Sequence, residues 1–357
     1  MIKLGVVGAG KFGTNILNAF KQLESEGKCK LAAICDINKE LLENQAKKYS
    51  VKGYADYKEM IDREKDIYGI AVATPDPFHR EPVLYAAGAG KHIFVEKPMD
   101  ITVEGCKEML DACKKNKVLL QVDFHKRFDP FHIAVRNEIR EGRAGEIEYG
   151  YAYMEDKIIV PRDWFPGWAS KSSPAWFLGV HMFDLIRWIM GSNGKQVYAR
   201  GRKLKLKSLG IDTYDSISSM VEFENGAVVS FDVSWILPED FEAIVNQGFR
   251  LVGEKGLVEC DSQDRGTRAS YEKQGVMTYN PVFLNESRDA KTGGTRYSGY
   301  GIESIADFVY NLEYLAGGGS LDKLEGGVTG LGEDGLEVTK IAVAVHKSLD
   351  SGKIELV

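Results

Sequence analysis

The sequence predicts an α/β protein with a doubly wound parallel sheet in its N-terminal domain and a large, mostly antiparallel open sheet in a C-terminal α+β domain. Between residues 2 and 122, short apolar runs alternate with helical patterns, the order that a parallel sheet requires. Beyond residue 123 the runs become longer, alternate with polar residues and are separated by hairpin turns such as Asn225-Gly226. The length of 357 residues suits two or three domains. We therefore predict a first domain over residues 1–123 and a second over 124–357.

The first apolar run is followed by a glycine-rich turn. Ile2–Val7 leads into a GxGxxG motif and then a helical pattern, so the glycines permit a tight turn and the helix amides can bind a pyrophosphate. The next apolar run ends at an acid 23 residues after the last glycine, where a dinucleotide site places its ribose-binding carboxylate. The predicted dinucleotide-binding residues are Gly8, Gly10, Lys11, Phe12, Gly13 and Asp36.

Asp36 also bears on which dinucleotide binds. A carboxylate at this position accepts a hydrogen bond from a free ribose hydroxyl and repels a 2′-phosphate, which favours NAD over NADP. The alternative interpretation is that Asp36 caps the helix predicted over Lys39–Lys48. Both roles remain open on the sequence.

Two further strands end in polar residues. One runs from Ile67 to Ala73, before Thr74-Pro75, and the other runs from Lys91 into Glu96-Lys97-Pro98. The carboxyl ends of parallel strands meet at one edge of the sheet, so Lys97 is predicted to lie at the edge that carries the glycine turn. A buried charged pair is costly unless it is used or well satisfied, and a structural ion pair is the alternative interpretation.

In the second domain, residues 173–188 form an apolar helical pattern that includes His181 and Asp184. A lone histidine on such a helix is more often a core residue than a catalyst. Several tryptophans occur nearby, and aromatic rings can pack on a sugar face, fill a core or form an interface. We expect Trp188 in a core or interface and consider Trp164 a candidate pocket residue.

Composition narrows the class of protein. A net charge of −6 and a pI near 5.7 argue against partners such as nucleic acid or an anionic membrane. The five cysteines show no CxxC or metal-ligand spacing, so we expect reduced thiols and no metal site. Neither a leader nor a membrane-spanning apolar run is evident, which favours a cytoplasmic protein.

Taken together, GAGKFG, Asp36, TPDPFH, EKP and FHKRFDP at Phe124–Pro130 resemble the Gfo/Idh/MocA family of dehydrogenases, which act mostly on sugars and polyols. The resemblance implies a Rossmann domain and a small, carbohydrate-like substrate. It also implies that Lys97 lies beside the nicotinamide and the reacting hydroxyl, that Glu96 supports Lys97, and that His181 accepts the proton. The strand-end residues implied to contact the cofactor are Thr74, Pro75, His79, Glu96 and Lys97.

The remaining implications concern the substrate and the subunits. Arg127 is implied to meet substrate oxygens, with a salt bridge as the alternative, and the polar segment containing Glu155, Asp156 and Trp164 is expected to line a cleft. The open face of the second sheet is implied to form a subunit interface, in a homodimer or homotetramer.

Two positions depart from the family pattern. Asp76 replaces an asparagine, and Phe177 replaces a carboxylate that would lie one helical turn before His181 and orient it. The sequence accordingly predicts an NAD-dependent oxidoreductase that transfers a hydride between a hydroxy compound and nicotinamide. Two alternatives remain: an NAD(H)-binding regulatory or sensor protein with little turnover, and a hydrolase or epimerase that keeps its NAD bound.

Overall fold

The computed structural model describes residues 1–273, 275–288, 290 and 293–357. The chain divides into two compact units, of which unit 1 comprises Met1–Asp129 with Val282–Leu336, and unit 2 comprises Pro130–Pro281 with Glu337–Val357. This differs from the predicted division, which placed all of residues 124–357 in the second domain. The chain leaves the first unit close to the predicted point but later returns to it.

The helices and strands are numbered here in chain order. The helices are α1 (Lys11–Ser25), α2 (Lys39–Tyr49), α3 (Tyr57–Arg63), α4 (Arg80–Gly88), α5 (Val103–Asn116), α6 (Pro130–Arg140), α7 (Val180–Met190), α8 (Lys205–Ser208), α9 (Tyr300–Ala316) and α10 (Gly332–Ser351). The strands are β1 (Ile2–Val7), β2 (Cys29–Cys35), β3 (Lys52–Tyr54), β4 (Ile67–Val72), β5 (His92–Val95), β6 (Leu120–Val122), β7 (Ile147–Lys157), β8 (Gly194–Arg202), β9 (Ser216–Phe223), β10 (Val228–Leu237), β11 (Val245–Gly253), β12 (Gly256–Asp261), β13 (Arg268–Tyr271), β14 (Gly275–Thr278), β15 (Asn285–Arg288), β16 (Thr295–Ser298) and β17 (Glu355–Leu356).

Unit 1 is built on a parallel sheet in the order β3–β2–β1–β4–β5–β6. The chain builds outward from β1 in one direction and then from β4 in the other, which makes the gap between β1 and β4 the switch point where ligands bind in such sheets. Side chains of Asn38, Asp56 and Thr102 accept hydrogen bonds from main-chain N–H groups at the starts of α2, α3 and α5. These caps set where the helices begin.

Helix α9 explains why Val282–Leu336 belongs to unit 1. The ring of Phe308 on α9 packs against Phe94 on β5, with centroids 5.5 Å apart. On β4, a Cβ built on Gly69 would lie 2.6 Å from the side chain of Leu312 on α9, so the helix approaches the sheet closely there. Burial of these apolar groups ties α9 to the parallel sheet although they are distant in sequence.

Unit 2 is built on a mixed sheet in the order β12–β11–β7–β10–β9–β8–β17. Strands β7 and β10 are parallel, and the other neighbouring pairs are antiparallel. Helix α7 lies on one face of this sheet, where the ring of Phe183 packs edge-on against Phe231 of β10 at 5.0 Å. The predicted class of sheet is thereby confirmed for both parts of the chain.

One predicted strand is shorter than expected. The alternation of lysine and leucine over residues 203–207 is typical of a strand, but β8 ends at Arg202 and α8 follows. The carboxylate of Asp215 accepts hydrogen bonds from the main-chain N–H groups of Leu204, Lys205 and Leu206, at 2.7, 2.6 and 2.7 Å. Three donors on one buried carboxylate turn the chain into a helix, so Asp215, in the loop before β9, overrules the local periodicity.

Candidate active site

The glycine turn between β1 and α1 is sterically closed on one side and open on the other. Gly8 has φ +93°, and a Cβ there would lie 2.5 Å from the carbonyl oxygen of Ala73. A Cβ on Gly13 would lie 2.0 Å from the carbonyl oxygen of Gly8. Around Gly10, by contrast, no described atom lies within 4 Å of a Cβ position. Gly8 and Gly13 therefore close the turn, and Gly10 leaves space in front of the helix.

That space suits a pyrophosphate. Gly10 precedes α1, and among the described residues no side chain caps the helix. Main-chain N–H groups at a helix start bind anions, helped by the helix dipole. The open cradle and the uncapped helix thus fit a dinucleotide, as the motif predicted.

Asp36 follows β2 and reaches back to the glycine turn. Its Oδ2 accepts a hydrogen bond from the N–H of Ala9, and its Oδ1 accepts one from the N–H of Asn38, each at 2.8 Å. Asn38, rather than Asp36, caps α2 by accepting from the N–H of Leu41 at 3.1 Å. The capping alternative for Asp36 is therefore wrong, and its carboxylate is held beside the turn.

Gln45 is a supporting residue that the sequence did not single out. Its side-chain amide donates to the carbonyl oxygen of Ala9 at 3.1 Å and to Oγ1 of Thr14 at 2.9 Å. Gln45 is buried, so these bonds hold α2 against the glycine turn. Only the packing of α2 against β2 brings it there, which no local motif reports.

The loop after β4 is fastened to the loop after β5 by His79. One ring nitrogen lies 2.7 Å from the carbonyl oxygen of Thr74, and the other lies 2.8 Å from that of Pro98. Oγ1 of Thr74 also donates to the carbonyl oxygen of Phe78 at 2.9 Å. Because His79 has no exposed surface, its contacts are with the protein main chain, and it supports the two loops that carry Thr74, Pro75 and Lys97.

Lys97 leaves β5 next to the glycine turn. Its side chain is only 4% exposed, and Nζ lies 5.9 Å from the ring centroid of Phe12 at the start of α1. The Lys97–Pro98 peptide is cis. The strand end, the glycine turn and the His79 loops thus bring the predicted residues of unit 1 to one edge of the parallel sheet.

Glu96 and two residues after β6 form a buried cluster beside Lys97. Burial, and next the charge of Asp123, raise the pKa of Glu96 well above its ordinary range, while Lys97 acts in the opposite direction. Nδ1 of His125 lies 3.9 Å from Oδ2 of Asp123. Burial lowers the pKa of His125, although the nearby carboxyl group of Asp123 acts against that. Neither Asp123 nor His125 was among the predicted site residues.

Arg127 takes part in a salt bridge within unit 1. Its Nη1 donates to Oδ2 of Asp334 at 3.0 Å and to the carbonyl oxygen of Thr329 at 3.3 Å. The guanidinium group lies 5.4 Å from the ring centroid of Phe124, and the residue is 2% exposed. These contacts favour the salt-bridge alternative over a substrate contact.

In unit 2, His181 and Asp184 are buried on α7. The preceding residues Ala175–Gly179 form a π-helical segment, so the predicted single helix changes its winding just before His181. Phe177 lies in that segment, at the position where the family pattern has a carboxylate. Its ring contacts Phe165, Trp168 and Trp235, with centroids 5.5 to 5.8 Å apart. Aromatic rings therefore surround the position at which the family pattern has a carboxylate.

Ser173 and His346 connect this segment to α10. Nε2 of His346 lies 2.8 Å from Oγ of Ser173, and Nδ1 lies 2.7 Å from the carbonyl oxygen of Ala342. Since a carbonyl only accepts, Nδ1 carries the proton and Nε2 accepts from the serine hydroxyl. The His346 ring also stacks on Trp176 at 5.2 Å. This pair anchors the helical segment that leads to His181, and neither residue was among the predicted site residues.

The predicted cleft residues on β7 are separated by strand geometry. Glu155 and Asp156 are neighbours on one strand, so their side chains lie on opposite faces of the sheet. Glu155 accepts a hydrogen bond from Asn246 at 2.9 Å, whereas Asp156 is 2% exposed on the buried face. The structure therefore does not bring both to one pocket. Trp164 is 41% exposed, and Trp188 is buried under the guanidinium of Arg136 at 4.7 Å.

In the part of the chain that the structure describes, no group of three or more His, Cys, Asp or Glu side chains could hold a metal ion. Across those same residues, no helix has both the length and the apolar character that crossing a bilayer requires.

Comparison with known proteins identifies relatives of the whole chain. Myo-inositol 2-dehydrogenase of Thermotoga maritima is 26% identical over 355 residues, covering 98% of this chain and 96% of that protein. Inositol 2-dehydrogenase of Rhizobium meliloti is 29% identical over 298 residues, covering 80% of this chain and 86% of that protein. The crystal structure of scyllo-inositol dehydrogenase from Lactobacillus casei with bound NAD(H) and scyllo-inositol has a TM-score of 0.80 at 18% identity, covering 100% of this chain and 99% of that one.

Two family matches cover more than half of the chain. Residues 2–124 match the Gfo/Idh/MocA oxidoreductase family with an NAD-binding Rossmann fold. Residues 132–259 match the Gfo/Idh/MocA C-terminal domain. With a glycine turn and an acid that fit the dinucleotide, the chain belongs to the Gfo/Idh/MocA family of NAD-dependent dehydrogenases.

Proposed function

We propose that this protein oxidises a ring hydroxyl of a cyclic polyol or a related sugar, with NAD⁺ as the acceptor. The observation that carries the proposal is the position of Lys97, which is buried at the end of β5 with its Nζ 5.9 Å from the ring centroid of Phe12. A side-chain donor therefore lies beside the glycine turn, at the edge where such sheets bind their cofactor. The similarity to myo-inositol 2-dehydrogenase over nearly the full length of both chains suggests the class of substrate.

Each residue has a physical task in this proposal. NAD⁺ supplies the hydride acceptor when bound. The amides that follow Gly10 bind its pyrophosphate, and Asp36 accepts a hydrogen bond from its ribose. Lys97 donates to the reacting hydroxyl oxygen and stabilises the negative charge that develops there, and His181 accepts the hydroxyl proton. Glu96 supports Lys97 from the same strand end.

The proposal is tested by following NADH formation with a panel of inositol isomers, glucosides and free sugars. We expect robust turnover with at least one cyclic polyol or sugar, and much weaker turnover when NADP⁺ replaces NAD⁺. Isolation of the matching ketone would establish oxidation at a ring carbon. If NAD⁺ binds but no member of the panel is oxidised, the proposed activity is wrong.

A second candidate is an NAD(H)-binding sensor with little turnover. Phe177 favours it, because an aromatic ring cannot orient and charge a histidine as a carboxylate does. A sensor should bind NAD(H) tightly and should oxidise none of the inositol isomers, glucosides or free sugars of the panel. A hydrolase or epimerase that retains NAD would instead change substrate without net release of NADH.

We also propose that the outer face of the unit 2 sheet is a subunit interface. Strand pairing places Tyr151, Ser230, Met220 and Tyr198 in one row across β7, β10, β9 and β8. The two tyrosines and the methionine are 37% to 48% exposed. Tyrosine and methionine are enriched where proteins associate, so a second copy of the chain is the proposed partner.

A further inference from the structure

Glu96 and Asp123 are adjacent because of strand register. Val95 of β5 pairs with Val122 of β6 in a parallel ladder, so the next residue of each strand emerges at the same height. Both residues are buried, with 7% and 5% of their surface exposed. Two carboxyl groups are thus held side by side at the edge of the sheet that carries Lys97.

The hydrogen bonds of this pair require a shared proton. Oδ1 of Asp123 is buried, and no N–H or O–H of the described residues donates to it. The carboxyl group beside it is that of Glu96, whose pKa is raised first by burial and next by the charge of Asp123. Two ionised carboxylates are both acceptors, so a hydrogen bond between them forms only when one of them carries a proton. A proton on Glu96 supplies a donor for the buried Oδ1 of Asp123.

The charged and titratable groups around the pair are few and come from three strand ends. Lys97 follows β5, Asp76 follows β4, and His125 and Lys126 follow β6. Burial lowers the pKa of His125, which keeps its ring neutral near neutral pH. A pair with one proton carries one negative charge, whereas two ionised carboxylates this close would repel strongly. An additional positive charge nearby would therefore favour loss of the shared proton.

We propose that Glu96 and Asp123 share one proton beside Lys97 and release it to solvent when the positively charged nicotinamide ring of NAD⁺ binds. The inference rests on the proposed function, because it takes the nicotinamide to lie near Lys97. In this step one O–H bond of the pair breaks, and the pair changes from one negative charge to two. The nicotinamide of NADH is uncharged, so NADH leaves the proton in place. Asp123 is thus a positioning residue that tunes the charge around Lys97 through Glu96.

The direct test counts protons during cofactor binding. Titration calorimetry of the complete protein with NAD⁺, in two buffers of different ionisation enthalpy, measures proton release between about pH 6 and 9. We expect release that approaches about one proton per NAD⁺ and an NAD⁺ affinity that rises with pH by up to about tenfold per unit. NADH should release none through the pair.

Two variants remove the shared proton in different ways. In Asp123→Asn and in Glu96→Gln, only one carboxyl group of the pair remains, so no proton is held between two carboxylates for NAD⁺ to displace. Both variants should therefore bind NAD⁺ without proton release and with a flat pH dependence. The matched control is Asp307→Asn, which replaces another acid of unit 1 whose pKa burial raises, and it should release protons as the natural protein does.

The outcomes separate this inference from the proposed function. If the natural protein binds NAD⁺ without releasing a proton, the inference is overturned while the dehydrogenase proposal stands. The same holds if Asp123→Asn and Glu96→Gln both release as many protons as the natural protein. Failure to bind NAD⁺ at all would overturn the proposed function and this inference together.

Discussion

The charge of Lys97, rather than its burial, is what the proposed chemistry requires. Lys97→Met keeps an apolar stem of similar length but removes the ammonium group, so we expect kcat to fall by about 10² to 10⁴ with little loss of stability. Lys91→Met is the matched control, because Lys91 is also buried near β5 and donates to the carbonyl oxygen of Lys65 at 2.8 Å. Steady-state rates of NADH formation measure both. Equal losses in the two variants, or full activity in Lys97→Met, would contradict the assigned role.

Asp36 is expected to decide between the two dinucleotides. Asp36→Ala removes the acceptor for the ribose hydroxyl and the repulsion of a 2′-phosphate, so the preference for NAD⁺ over NADP⁺ should shrink by about 10- to 100-fold. Binding constants from fluorescence titration give this ratio. Asp56→Ala is a suitable control, because Asp56 also accepts a main-chain hydrogen bond after a strand, from Lys58 at 2.8 Å. An unchanged ratio in Asp36→Ala would contradict the interpretation.

The sequence predicts the position of a residue when a local motif fixes it. It does not predict a position that depends on how two strands pair. The positions of Asp36 and Lys97 follow from strand ends, which apolar runs reveal. The contact between Glu96 and Asp123 depends on the register of β5 and β6, in which the paired residues Val95 and Val122 lie 27 positions apart in the sequence. Arg127 belongs to a recognisable motif, but its partner Asp334 comes from a distant segment, so the motif does not reveal the salt bridge.

Among the elements, the π-helical segment before α7 depends on its aromatic cluster. Phe177→Ala should lower the free energy of unfolding by about 2 to 4 kcal/mol, because the ring loses contacts with three aromatic neighbours. NAD⁺ affinity should change little, since the glycine turn belongs to unit 1. Phe78→Ala is a control in which a 60% exposed ring is removed, at a cost of under about 0.5 kcal/mol. Urea unfolding measures both, and a similar cost in the two would refute the packing argument.

The outer face of the unit 2 sheet is tested by adding a charge to its centre. Met220 is 48% exposed between Tyr198 and Ser230, so Met220→Asp would place carboxylates from two copies in an apolar contact. We expect sedimentation velocity to show an oligomer for the natural protein and smaller species for the variant. Leu204→Asp, at a 68% exposed position outside the sheet, should leave the oligomer intact. A natural protein that sediments as a monomer would exclude the interface.

Elements with strong periodicity were predictable, and those set by remote contacts were not. Strands β1, β2 and β4 are apolar runs, so their presence follows from the sequence. Strand β3 has three residues, two of them exposed, and offers no such pattern. Residues 262–300 are polar and show no apolar periodicity, yet the structure contains the pairs β13–β14 and β15–β16 there. Their side chains are mostly exposed, so apolar periodicity could not reveal them.

For the whole molecule, the division of the chain was the least predictable feature. A change in strand length marks the exit from unit 1 near Asp129, and the sequence placed it within a few residues. The return of Val282–Leu336 leaves no such mark, because α9 resembles any amphipathic helix until its partners on β4 and β5 are known. A polar network also holds this segment, in which Asp307 accepts from Gln121 at 3.1 Å and Thr329 at 2.8 Å.

The stability of the molecule should fall in mild acid because a buried histidine resists protonation. Burial lowers the pKa of His92 to about 4, and its Nδ1 accepts a hydrogen bond from the N–H of Leu119 at 2.9 Å, which only a ring unprotonated at Nδ1 can do. In the unfolded chain the pKa is about 6.5. Above that pH the ring is neutral in both states, so its full contribution to stability is present.

As pH falls from about 6.5 to about 4, the unfolded state takes up a proton that the folded state does not, so the contribution of His92 is lost progressively, by at most about 3 kcal/mol. His92→Gln keeps an acceptor for Leu119 but cannot titrate. Urea unfolding at a series of pH values should therefore give curves of stability that are parallel above about pH 6.5 and converge below it. The range above pH 6.5 is the internal control. Curves that stay parallel down to about pH 4 would show that His92 does not couple protonation to folding.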